Sequence, residues 1–456
     1  MADLSTPFIV ASYPERCSAP PHPEVLSRWR HRHLGAEGAV LKLLAPLLGD
    51  DVPLLANGRP RGRGDGVIYP AGQEPPARAG LALSAPGAPA VPRTVRAIVV
   101  AAEFADVKLT KTVAYLKDLF FSTGRTVATG SVREYYEEVS RGAVVLDGDV
   151  IGPVTVPNTL AYYANHAAGQ AAAPPNAQSF AADVLAAVGA RAYAPYDNDG
   201  DGFVDAFIIV HAGRGAERTG SKGDLWSLKW ILNGAPVSGT DGVKVYGFLT
   251  VPEDTPVGIA AHELGHLLFG LPDLYDLSSR TNGIGNWCLM AGGCWNDNGD
   301  TPAHPSAWCK MKLGWTDRHS IAAPAAVSFG PNGAAGGQTL DLAVNGSEYY
   351  LAEHRKKTGF DGALPGEGLL IWHIDETRPE NRDPDYRVTL VQADGVEGPL
   401  SGTDGGDDGD PYPGSTLNTA FDAHSTPPQI PHTGASTVAI TNIAASPPNV
   451  TADCTP

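Results

Sequence analysis

The chain has 456 residues, enough for two or three domains and more than one sizeable core. Its formal net charge of −17 argues against nucleic acid or an anionic membrane surface as partner, because both need a basic face, while acidity suits hard divalent cations. No run reaches the ~18 apolar residues of a membrane span, and 53 glycines with 39 prolines predict many turns and long ordered loops.

The N-terminus, Met1 to Val10, lacks a basic stretch followed by a long apolar one, so no secretory signal is expected there. Residues 1–92 are Pro-rich, with a helix expected over Pro23 to Leu48 and a Gly/Arg-rich loop over Asn57 to Gly66. Ahead of the motif described below, this stretch reads as a pro-region. Within it, Pro14-Glu15-Arg16-Cys17-Ser18-Ala19-Pro20 resembles the cysteine-switch segment of matrix metalloprotease zymogens. A thiolate from Cys17 would be a strong zinc ligand, able to displace a catalytic water. The other reading of Cys17 is a structural or unpaired thiol. The cysteine count of five is odd; Cys288 and Cys294 flank a Gly-Gly turn, where either a bridge or burial as small apolar residues fits.

From Thr94 the pattern turns globular. Val95 to Val100 reads as a buried strand, Leu109 to Phe121 as a helix, and Ser131 with Glu134 as a capping box opening another helix. Val144 to Val156 reads as short strands and Gln178 to Val188 as a helix. Asp197, Asp199 and Asp201 then form a D-x-D-x-D-G loop, with the Phe203 carbonyl and Asp205 following. This is the pattern of a short calcium loop, without the glutamate that an EF-hand has at its twelfth position. An acidic turn without an ion has the same residues. Ala206 to Val210 is the best central-strand candidate, and His211 at its end reads as a hydrogen-bonded strand residue. Val243 to Thr250 is the expected edge strand for a substrate backbone.

Ala261 to Leu268 contains His262-Glu263-Leu264-Gly265-His266, an H-E-x-x-H motif. On a helix the two histidines share one face, one turn apart, and can hold one zinc ion. Glu263 beside them is the general base for a metal-activated water. Thr255-Pro256 reads as the helix start, and Gly270 with Pro272 as its stop. So early a stop lets the following chain bring a third ligand back, as in metzincins. In thermolysin-like enzymes that ligand is a glutamate on a later helix. Met290, one of three methionines, sits before Gly292-Gly293 and reads as a Met-turn. Pro305 to Trp315 reads as a closing helix.

Ile321 to Pro456 is rich in short alternating segments, at Ala326 to Phe329, Gln338 to Val344, Glu348 to His354, Gly368 to Ile374 and Arg387 to Gln392. These predict a β-sandwich-like module. His373 reads as a strand residue. Asp404, Asp407, Asp408 and Asp410 crowd one loop that is either a second calcium site or a solvated acidic loop.

Several blocks together resemble the immune inhibitor A family of bacterial metallopeptidases: Ser131 to Ser140, Asp197 to Gly215, His262 to Asp276, Trp287 to Trp295, Ala307 to Trp315 and Gly366 to Asp375. The resemblance implies a secreted, extracellular zinc endopeptidase with a pro-region and calcium, acting on proteins or peptides. The family spacing H-E-x-x-H-x-x-G-x-x-D carries one extra residue here, around Phe269. With that insertion Asp273 matches the third zinc ligand, and Asp276 and Tyr275 are the alternatives. The expected architecture is an α/β zincin domain over 93–320 with a mixed sheet and an active-site helix, between a pro-region over 1–92 and a β-rich module over 321–456. A monomer is expected. The rival reading is a catalytically inactive, calcium-stabilised surface or adhesion protein on a protease fold.

Overall fold

The structure is a computed structural model that describes residues 17–33, 93–278, 280–332, 337–402, 404–432, 434 and 436–456. Most of the expected pro-region, including the Asn57 to Gly66 loop and residues 34–48 of the expected first helix, lies outside the described residues. Within them, that helix runs over Pro23–His33.

A six-stranded sheet organises the first unit. Its strands are β1 (Cys17–Ser18), β2 (Arg93–Glu103), β3 (Val144–Thr155), β4 (Phe207–His211), β5 (Leu228–Ile231) and, after a short ribbon of β6 (Val237–Ser238) and β7 (Lys244–Val245), β8 (Gly247–Pro252). Their spatial order is β1-β5-β8-β4-β2-β3. The pairs β2–β3, β2–β4 and β4–β8 are parallel, while β5 and β1 run antiparallel. The expected short strands at Val144 to Val156 are one 12-residue strand, because they pair along the whole of β2.

The apolar runs of β2 and β4 follow from having both faces covered. Val95, Ala97, Val99 and Ala101 face one core, together with the helix Val257–Phe269. Ile98, Val100 and Ala102 face a second, under the helix Ala177–Val188. That helix is capped by the Asn176 side chain, and the helix Val132–Val139 carries the capping box expected from Ser131 and Glu134.

β8 overturns one expectation. The Val243 to Thr250 segment is not an edge: it lies between β5 and β4, and its residues Gly247–Pro252 are all buried. Its weak alternation belongs to a strand covered on both sides. β5 lies outside it, and β1 is hydrogen-bonded to β5 at the margin.

The C-terminal part holds β9 (Asp317–Ser320), β10 (Ala325–Phe329), β11 (Gln338–Ala343), β12 (Glu348–Arg355), β13 (Gly368–Asp375), β14 (Val388–Val391), β15 (Ala439–Ser446) and β16 (Asn449–Thr455). They form a five-stranded sheet, β14-β13-β12-β11-β9, and a three-stranded one, β10-β16-β15. Leu340, Tyr350 and Ile371 of the first sheet pack on Phe329, Ile440 and Val450 of the second, which makes the sandwich. The opposite face of the larger sheet, with Leu351, Leu370, Trp372 and Leu390, joins the core that contains the Val257–Phe269 helix. The fold is an α/β zincin-like unit followed by a β-rich sandwich-like region.

Candidate metal centre

The Val257–Phe269 helix is buried along its whole length. Its start differs from expectation: Pro256 is the cap residue and no side chain caps it. Its end is as the Gly270 stop predicts. Gly270 takes a left-handed φ of 64°, its N–H bonds the His266 carbonyl, and the Leu271 N–H bonds the Gly265 carbonyl. The chain therefore reverses within one residue of the helix.

That reversal arranges the histidines. His266 Nδ1 lies 2.6 Å from the Leu271 carbonyl and His262 Nδ1 lies 2.9 Å from the Leu289 carbonyl. A carbonyl only accepts, so each Nδ1 carries the proton and each Nε2 presents a lone pair. The two Nε2 atoms face each other at 3.1 Å. Asp273 Oδ1 stands 3.2 Å from the first and 3.0 Å from the second, without a hydrogen-bond partner. Three buried acceptors thus converge with no proton between them. Such a set repels itself unless a cation sits among them. Ligand atoms about 2.0–2.1 Å from one tetrahedral zinc would be roughly 3.3 Å apart, so the spacing and the donor types fit that ion.

Electrostatics point the same way. Burial raises the Asp273 pKa, whereas positive charge at the Nε2 positions pulls it down to about 2, so the carboxylate is stable here only beside a cation. Burial lowers that of His266, against the pull of Asp273, keeping the ring neutral. Glu263 is fully buried, and burial, then Asp273 and Glu217, push its pKa well up. Neither of its oxygens makes a hydrogen bond of normal geometry, although the peptide groups of Ala19 and Lys229 face it and partly offset the shift.

Beneath the helix lies the turn at Met290. A Cβ on Gly265 would come within 2.8 Å of the Met290 sulfur, so a larger residue there would displace the Met290 side chain. The turn also donates order to the ligands: the Met290 carbonyl accepts from Leu274 N–H, one residue past Asp273. Tyr136 Oη, from the Val132–Val139 helix, donates to the Ala261 carbonyl at 2.6 Å.

Of the alternatives for a third ligand, Asp276 is engaged elsewhere. Its oxygens accept from Ser278, Arg280, Thr281 and Asp383, which knits the following loop. Tyr275 Oη donates to the Ser18 carbonyl at 3.0 Å. Cys17 lies with His266 and Asp273, their ligand atoms all within 4.8 Å of one another.

Residues 109–318 match the family model described as immune inhibitor A peptidase M6, catalytic domain. These residues are similar to that catalytic domain, and the similarity extends to individual relatives. It is 35% identical over 195 residues to immune inhibitor A of Bacillus thuringiensis subsp. alesti, a match over 36% of this chain and 28% of the relative. It is 29% identical over 245 residues to the pre-pro-metalloprotease PrtV of Vibrio cholerae serotype O1 (strain M66-2), over 44% of this chain and 26% of that protein. The aligned region thus spans about a quarter of the length of these curated relatives.

The region matched by the family model carries a further acidic grouping. Asp197, Asp199 and Asp205 bring carboxylate oxygens together. Asp205 Oδ2 accepts from Asn198, while Oδ1 is buried without a partner, and burial raises the Asp205 pKa to about 7. Asp201 stands apart from that trio, its Oδ1 accepting the Phe203 N–H at 2.7 Å. In the C-terminal region Asp407 and Asp410 group with Asp394, which sequence reading overlooked, while Asp408 bonds Ser415. His373, read as a strand residue, does lie on β13. It also faces Glu348 at 2.8 Å, in a group with His432. None of the five cysteines is in a disulfide, and all are buried, so Cys288 and Cys294 follow the burial reading.

Glu217, Trp226 and Trp295 were missed. No motif spacing marks them in the sequence, and only tertiary packing brings them beside the centre. No helix among the described residues is long and apolar enough to cross a membrane.

Proposed function

We propose that this chain is a secreted, zinc-dependent endopeptidase, with His262, His266 and Asp273 as zinc ligands and Glu263 as general base. The observation that carries the reading is the convergence of two deprotonated Nε2 atoms and one unpartnered carboxylate oxygen within 3.0–3.2 Å, beside a buried glutamate. Zinc at such a place supplies Lewis acidity and lowers the pKa of water. Leu289 and Leu271 hold the imidazoles in one tautomer, as second-sphere carbonyls do for zinc-binding histidines. Glu263 takes the proton of the attacking water and hands it to the leaving amine; burial raises its pKa, which favours a carboxyl that accepts a proton and later releases it. The substrate class is protein or peptide.

Calcium is the ion we assign to the Asp197, Asp199 and Asp205 loop, where an unpartnered buried carboxylate oxygen asks for a hard cation. Residues 1–92 act as a pro-region, 93–320 as the catalytic domain and 321–456 as a β-rich module.

The test is zinc content and casein cleavage of the full chain, before and after limited proteolysis, alongside Glu263→Gln. Stoichiometric zinc in both chains with cleavage only in the parent supports the reading. Undiminished cleavage by Glu263→Gln, or cleavage that survives complete zinc removal, overturns it.

A further inference from the structure

The segment Cys17 to Pro20 runs through the centre as a fitted chain. β1 pairs antiparallel with β5, Cys17 opposite Lys229 and Ser18 opposite Leu228. The Ala19 N–H continues the ladder to the Ser227 carbonyl at 3.0 Å. Three consecutive carbonyls are taken by three separate side chains. Ser18 O accepts from Tyr275 Oη at 3.0 Å, Ala19 O from Trp226 Nε1 at 2.7 Å, and Pro20 O from Trp295 Nε1 at 2.8 Å. These donors come from the loop after the Val257–Phe269 helix, the approach to β5 and the turn after Met290. Cys17 is 5% exposed and Ala19 fully buried. A thiol that strayed near the histidines by chance would not bring its backbone into so complete a set of partners.

A second, independent feature marks the space beside Cys17: Asp273 Oδ1 is buried and without a hydrogen-bond partner. The Cys17 sulfur completes a group with His266 Nε2 and Asp273. Two histidines and a carboxylate make an open, catalytic set, whereas a fourth protein ligand closes it. A thiolate is the strongest zinc ligand among protein side chains offered here.

Resting on the zinc reading above, we propose that Cys17 is a fourth metal ligand that latches the enzyme in an inactive form. Its thiol gives up a proton to solvent and its sulfur donates an electron pair; nothing is oxidised. The same segment, strand-paired to β5, fills the track along which a peptide substrate would add to the sheet edge. Ala19, facing Glu263, takes the room a water would need at the general base. Because latch and site share one chain, the thiolate competes at a high effective concentration, and inhibition lasts until the segment is withdrawn or cut away.

Zinc-loaded full chain is examined by X-ray absorption at the zinc edge, and cobalt-loaded full chain by optical spectroscopy, each beside Cys17→Ser and Cys17→Ala. The proposal expects one sulfur per zinc at about 2.3 Å in the parent. It expects a near-ultraviolet thiolate-to-cobalt band that both variants lose while keeping the visible bands of tetrahedral cobalt. It further expects the variants to cleave casein on the order of tenfold faster than the intact parent chain. A parent chain with bound metal but no sulfur ligand overturns the latch and leaves the zinc reading standing. Failure of the parent to bind zinc or cobalt overturns both. The absorption measurement on the parent needs no variant, so misfolding of a substituted chain does not blunt the test.

Discussion

Gly258 packs directly on the Cys294 carbonyl: a Cβ added there would collide with that oxygen and come within 3.0 Å of the Gly299 carbonyl. Both obstacles are backbone, so neither can rotate away. Gly258→Ala gains up to about 1 kcal/mol in helix propensity but forces the helix off its floor at about 1–3 kcal/mol or more. The net expectation is a lower Tm and weaker zinc retention, read by thermal unfolding and by chelator competition. A variant as stable as the parent would show that the helix and the 292–299 turn can separate freely.

Asp273 and Asp276 separate cleanly by substitution. Asp273→Asn should release zinc to chelator at least about 100-fold more readily, more than typical losses from second-sphere changes. Asp276→Asn should keep zinc and instead loosen residues 277–283, because it removes acceptors for Ser278, Arg280 and Thr281. Zinc titration with protease-susceptibility mapping distinguishes the two. The reverse pattern would transfer the ligand role to Asp276.

Glu263→Gln should lower kcat by roughly 10²–10⁴ in the activated enzyme with KM little changed, since the loss is of proton transfer and not of binding. Equal rates for Gln and Glu would assign the base elsewhere.

Glu217 gives the pH dependence. It is buried, bonds Ser227 N–H and Oγ, and burial raises its pKa from 4.5 to about 7, with a smaller push from Asp254. A carboxyl whose folded pKa is raised contributes stability that is full below about pH 4.5 and is lost as pH rises through 7. The size is roughly 3 kcal/mol. Glu217→Gln should remove this slope between about pH 4.5 and 7. Urea unfolding across that range checks it, and an unaltered slope would locate the titration in another group.

Calcium removal should lower Tm, and Asp205→Asn should abolish that sensitivity while leaving zinc bound. Scanning calorimetry with and without a calcium chelator reads both. The loop, which leads into β4, is tied to the start of β2, since Asn198 Oδ1 accepts from Arg96 N–H and the Asn198 carbonyl from Arg93. The loss should therefore appear in the whole unit and not only at the loop.

How much of this was legible follows residue by residue. His262, Glu263, His266 and Gly270 were readable because helical periodicity and a left-handed stop are local properties. The capping box at Ser131 was local too. The edge of the sheet was not: Val243 to Thr250 and Leu228 to Ile231 differ in position through long-range pairing that no short window contains. Asp394 lay outside the acidic run it joins, and His432 lies 59 positions after His373, so neither grouping had a spacing to recognise. β15 escaped notice because its exposed positions include Ala444, Ala445 and Ser446, which blur the alternation, whereas β16 does alternate, with Val450, Ala452 and Cys454 buried.

Arg355 has a wider consequence. Fully buried on β12, it bonds Asp361 and Glu353 and reaches the carbonyls of Trp287 and His304, on either side of the turn at Met290. The floor under the histidines is thereby bolted to a strand that follows the family-matched region in the chain. A gene truncated at the family boundary would encode every metal ligand and yet lose the guanidinium that holds their support, together with the apolar cover from Leu370 and Trp372. Any shorter fragment meant to keep this centre intact, whether made by recombination or by design, therefore has to carry the first sandwich sheet along and extend at least through β14.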